Sequence, residues 1–129
     1  MSNQRKFDIK ERSLQFAARA ARLTDKLPKR QSTIEYGKQL IRASSSIGAN
    51  LEEADGAVSK KDFINKIGIS RKEAKESGYW LQLIKEVGLT TDIEINKELD
   101  WLIGESEELK LILSSIINRT KDKIKLEIE

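Results

Sequence analysis

Cysteine and histidine are both absent from the 129 residues, and the two absences remove most catalytic chemistry at once. Without cysteine there is no disulfide framework, no thiolate zinc site and no cysteine nucleophile. Without histidine the many serines have no imidazole to activate them, and the chain carries neither a Gly-x-Ser-x-Gly elbow nor a glycine-rich phosphate loop. The carboxylate metal centres of helical bundles draw on Glu-x-x-His pairs, so no metal is expected, and no other cofactor. A hydrolase working through Glu52, Glu53, Glu73 or Glu76 alone is what remains of the enzyme class. The expectation is a protein that is not an enzyme.

Long apolar runs are also missing. No stretch approaches the roughly 20 residues needed to span a bilayer, and residues 1–13 carry charge with no apolar run behind them, unlike a secretory leader. A cytoplasmic protein with no membrane partner is expected. Charge of one sign is scarce as well: 24 Lys and Arg against 21 Asp and Glu leave +3. That excess does not by itself predict nucleic-acid binding, so the distribution of charge matters more than its sum.

What is present is helical periodicity in four blocks, at about 8–27, 32–54, 60–87 and 92–118. The only proline, Pro28, ends the first. Ser32 or Thr33 can cap the second, and Asp55-Gly56 stops it, with glycine free to take left-handed angles. Ser59-Lys60-Lys61-Asp62 reads as a capping box for the third, Gly88 closes it, and Thr91 to Glu94 is a second box. Ile34, Leu40, Ile41, Ser44, Ile47, Gly48, Leu51 and Ala54 give helix 2 its seam; Phe63, Ile67, Ala74, Ser77, Leu81 and Ile84 do so for helix 3. Short polar connections between such helices predict an all-α, up-and-down antiparallel four-helix bundle in a single domain over residues 1–118. From Lys121 to Glu129 the chain alternates polar and apolar, which fits a strand-like edge or a frayed extension better than a helix seam, and residues 119–129 read as a charged C-terminal tail.

Helix 1 carries more than one face. At about 100° per residue, Arg12, Arg19, Arg22 and Lys26 form a basic stripe, Phe16, Ala20, Leu23 and Leu27 an apolar line beside it, and Leu14, Ala17, Ala18 and Ala21 a further apolar arc. An arc that wide fits a helix buried on one side in its own bundle and on another against a second subunit. A further basic set comprises Lys60, Lys61, Arg71, Lys72 and Lys75, with Lys29 and Arg30 in the first connection. Either set is a solubilising exterior or a phosphate-binding surface that repetition in an oligomer would strengthen. Asn50 and Glu53 on helix 2, with Lys66 and Glu73 on helix 3, interrupt otherwise apolar faces and suggest a structural polar network that sets bundle register. Trp80 and Trp101 read as packing anchors.

The run from Ser44 to Ile84 resembles the bacterial four-helix bundle family named after proteins encoded in intervening sequences of 23S rRNA genes. The resemblance rests on Ser46, Ile47, Asn50, Glu53 and Ala54, on the helix start Ser59-Lys60-Lys61-Asp62-Phe63, and on Lys66, Glu73, Glu76, Trp80 and Leu81. It extends from about Phe16 to Ile117. It implies an all-helical protomer, ring-like homo-oligomers that are often pentamers, and no assigned enzyme activity. A related protein, the accessory protein of diversity-generating retroelements, uses a similar basic ring to bind nucleic acid and a reverse transcriptase. With that resemblance, the leading expectation is nucleic-acid binding, RNA first, through Arg12, Arg19, Arg22, Lys26, Lys60 and Lys61. The rival is an oligomeric adaptor for an unidentified protein partner, held by the apolar surface of helix 1 and the tail.

Overall fold

The computed structural model describes residues 8–88 and 90–128. Residues 1–7, which supported the reading against a leader, and Glu129 at the end of the tail lie outside the described residues. Four helices make up the rest: α1 (Asp8–Lys26), α2 (Gln31–Asp55), α3 (Lys60–Val87) and α4 (Ile93–Ile128). Each packs on its neighbour in the chain, and α1 on α4 closes the square. This is the expected all-α antiparallel bundle, with no strand among the described residues. No described helix is long and apolar enough to cross a membrane.

The seams are buried much as their spacing requires. Phe16, Ala20 and Leu23 enter the core from α1, with Leu27 just after it, and Leu40, Ile47, Leu51 and Ala54 from α2. From α3 come Ile67, Ala74, Leu81 and Ile84, and from α4 Leu99, Leu102, Leu109, Leu113 and Ile117. Removing any one of the large members from water is worth about 1.5–3 kcal/mol. Two positions read from sequence as part of the α2 seam are not: Ile34 and Ile41 face outward. Their helical period is correct, but the buried line runs through Thr33, Gly37, Leu40 and Ser44 beside them.

The helix ends follow the expected caps only in part. Ser59 caps α3 as expected, its hydroxyl accepting from the Asp62 N–H at 3.0 Å, and Gly88 closes that helix at φ 66°. At the start of α4 the cap is Asp92 rather than Thr91, accepting from Glu94 and Ile95 N–H at 2.9 and 3.2 Å. Neither Ser32 nor Thr33 caps α2; Arg30 stands at that position without a side-chain bond. Gly56 ends α2 at φ −96°, so its left-handed freedom is not used.

The largest departure is the tail. Residues 119–128 continue α4 as helix instead of alternating as a strand-like segment. Thr120 bonds back to the Ile116 carbonyl at 2.8 Å, Ile124 is partly covered, and Glu127 meets Lys60 at the start of α3. No glycine or proline interrupts the chain after Gly104, so nothing stops the helix where its apolar face thins out.

Candidate nucleic-acid interface

The basic stripe of α1 lies along the groove against α4, and that position decides which of its charges are available. Arg12 Nε and Nη2 donate to both carboxylate oxygens of Glu105, at 3.0 and 2.8 Å. Two turns on, Arg19 makes the same fork to Glu98 at 2.8 and 2.6 Å and lies 3.4 Å over the ring of Trp101. Bonding to Arg19 holds the Glu98 carboxyl below its ordinary value of 4.5 and outweighs the opposing effect of burial. Trp101 is therefore no core anchor: it is 41% exposed and serves as the floor under a guanidinium. Forked, partly desolvated Arg–carboxylate pairs are already matched in charge and geometry, and two of the six candidate phosphate contacts are committed in this way.

Arg22 and Lys26 continue the stripe and make no ion pair among the described residues. They line a cleft of about 830 Å³ with Arg19 and Gln15 on one wall and Asp92, Glu94 and Glu98 on the other. Lys29 and Arg30 follow in the connection to α2, also exposed. The remaining candidates, Lys60 and Lys61, stand at the other end of the bundle. Phe63, at the start of α3, shares a cavity with Ile9 and Lys10 at the start of α1, and Lys26 lies 16 residues further along α1, about 24 Å up the axis. The two basic sets therefore do not form one patch. Lys60 is engaged by Glu127, while Lys61 is exposed.

Of the four polar residues expected to set register, only one pair crosses between helices: Lys66 Nζ lies 2.9 Å from Glu53 Oε1. That bond raises the Lys66 pKa above 10.5. Asn50 donates within its own helix, to the Ser46 carbonyl at 2.8 Å. The Glu73 carboxylate takes part in no hydrogen bond among the described residues, and its pKa is raised above 4.5, first by desolvation and then by neighbouring Glu76. The buried α2–α3 link is one that sequence reading missed: Ser70 Oγ donates to the Ile47 carbonyl at 2.8 Å. Serine at a seam position was the available signal, since a hydroxyl in a core must find a partner.

Two further surfaces complete the candidates. Along the outside of α1 and α2 runs an apolar groove that begins with Leu14, Ala17, Gly48 and Ala49 around a cleft of about 760 Å³. It resumes at Ile34, Gly37 and Ile41. Leu14 is 60% exposed, so the wide apolar arc of α1 divides as its width implied, one side in the core and one outside. Ser13, beneath the groove, is buried with its hydroxyl unpartnered. On the α2–α3 side, Trp80 stacks on Tyr36 at 6.1 Å between centroids and takes Tyr79 edge-on at 5.2 Å. No group of three or more acidic residues that could hold a metal ion occurs among the described residues.

Comparison with known proteins gives a consistent placement. The family model described as "23S rRNA-intervening sequence protein" matches residues 5–115. A crystal structure from Bacteroides thetaiotaomicron VPI-5482, of a protein of unknown function in the S23 ribosomal protein family, superposes with a TM-score of 0.74. It is 38% identical, over 84% of this chain and 97% of that one. No curated protein matches the chain. The match covers most of the length and takes in all of α1, α2 and α3, and on that ground the chain belongs to the 23S rRNA-intervening sequence protein family.

Proposed function

We propose that this protein is a non-enzymatic, self-associating helical-bundle module that binds nucleic acid, with RNA as the leading partner. The observation that carries the reading is a set of cations at one end of the molecule that make no ion pair among the described residues. Arg22, Lys26, Lys29 and Arg30 follow one another through the end of α1 and its turn, all exposed, while Glu105 and Glu98 of α4 are taken up by Arg12 and Arg19. Unpaired cations can exchange their counterions for phosphates; paired ones would first have to break a fork. Arg22 and Lys26 are thus the phosphate contacts, and Arg12 and Arg19 position α1 against α4. Lys61 adds a contact at the far end, and assembly of several copies into a ring would repeat each weak contact.

The test is binding of mixed-sequence RNA and DNA by the purified protein across a salt series. Binding is expected to fall steeply with salt and to be lost when Arg22 and Lys26 become glutamate, with helicity unchanged. Absence of binding even at low ionic strength would end the reading. The α1–α2 groove supports a second one, a protein-binding oligomeric adaptor, since an apolar surface of that extent needs cover. Docking there would be nearly indifferent to salt.

A further inference from the structure

The outer face of α3 carries a pattern that the unpaired cations of α1 do not explain. At about 100° per residue, Lys61, Asn65, Lys72, Lys75 and Tyr79 fall within an arc of about 80°, all five exposed. None of the three lysines makes an ion pair or side-chain hydrogen bond among the described residues. They contrast with Lys60, Lys66 and Lys85 of the same helix, each held by a carboxylate. Tyr79 is 60% exposed, yet it is not loose: its ring meets Trp80 at 75° with centroids 5.2 Å apart, and Trp80 is in turn backed by Tyr36. An exposed aromatic ring with a fixed orientation is a stacking platform. Lys75 and Lys72 lie one and two turns before it, about 6 and 10 Å along the axis, within reach of the phosphates that flank a base resting on the ring. Glu76 borders the stripe on the Trp80 side and Glu86 lies beyond Tyr79, so the positive segment is bounded at that end.

We infer that this stripe is a binding track for unpaired nucleic-acid strand, with Tyr79 stacking on a base and Lys61, Lys72 and Lys75 following the backbone. The inference rests on the nucleic-acid reading above and narrows its substrate class. A duplex keeps its base faces stacked inside and offers nothing to a ring on a convex helix surface; an unpaired strand offers a face at every nucleotide. Because every base has such a face, the track discriminates by strandedness and not by sequence.

The experiment compares one oligonucleotide of about 12 nucleotides, single-stranded and annealed to its complement, on the full-length protein. The single strand is expected to bind tighter. Tyr79→Phe should retain that binding, Tyr79→Ala should weaken it at least about fivefold, and Lys72→Gln with Lys75→Gln should flatten the salt dependence by roughly 0.7 per lost phosphate contact. The two lysine substitutions lie on open surface, so they keep the test decisive if Tyr79→Ala disturbs Trp80. Equal affinity for duplex, or single-strand binding indifferent to all three positions, would overturn the inference. If that indifferent binding is instead lost in the Arg22 and Lys26 variant, the broader reading survives without this track. If neither form binds at low salt, both fall.

Discussion

At the scale of single residues, the two Arg–Glu forks between α1 and α4 have consequences that a surface pair would not. Glu98 has its pKa depressed by Arg19, so its contribution is present above the unfolded value of 4.5 and is lost as the pH falls through the lower folded value. Glu98→Gln should therefore lower the melting temperature at pH 7 by an amount equivalent to about 1 kcal/mol or less, and the curves of the two proteins should converge below pH 4.5. Glu73 has the opposite sign. Its carboxyl is raised by desolvation, so its ionisation opposes folding at neutral pH; Glu73→Gln should stabilise at pH 7, with the gain fading as the pH falls through the raised folded value and gone below 4.5. A melting series across pH checks both. Neither effect was legible in the sequence, which placed Arg12 and Arg19 on a stripe but gave no sign of partners 93 and 79 residues away. Carboxylates on α4 occur at many positions; only the packing of α1 selects two of them.

Among the elements, α3 packs tightly on α4 at Gly78. A Cβ placed there would sit 2.8 Å from Ser106 Oγ but 3.7 Å from its Cβ, and that hydroxyl is already bonded to the Ile103 carbonyl at 2.7 Å. Gly78→Ala should cost about 1–3 kcal/mol by overpacking. In a Ser106→Ala background the same change should be neutral or stabilising, because glycine within a helix is itself unfavourable by roughly 1 kcal/mol. Denaturant melts of the four proteins of that cycle measure the coupling. Helix number, order and most buried positions could be read from periodicity and caps, since both are local. The overrun of α4 could not: in Lys121 to Ile128 a two-residue alternation and a thinning helical face look alike over so short a span. Ile34 and Ile41 were misplaced for a related reason, as apolar residues beside a seam and in it share the same period.

Over the whole molecule, the bundle has two unlike outer grooves around α1. The one shared with α4 is lined by charge, and the one shared with α2 is open and largely apolar. If self-association uses the open groove, Leu14→Glu together with Ile41→Glu should reduce the mass in solution to that of a single chain while helicity and core melting persist. Unchanged mass would move the contact elsewhere. The candidate site was legible in its ingredients only. Sequence supplied the basic residues of α1 and α3, but three-dimensional packing set Lys60 and Lys61 at the end of the bundle away from Arg22 and Lys26, withdrew Arg12 and Arg19, and brought Tyr79 onto Trp80 as a fixed ring.

The guanidinium lying 3.4 Å above Trp101 also gives the protein an optical reporter. The only other indole, Trp80, sits among tyrosines on the α2–α3 side. Each tryptophan therefore watches a different boundary of the bundle. With Trp80 replaced by phenylalanine, emission from Trp101 would record the moment α1 lifts from α4, separately from loss of the remaining core. A shift that precedes the loss of helical signal would mean that α1 detaches before the rest unfolds, and a coincident one that the four helices let go together.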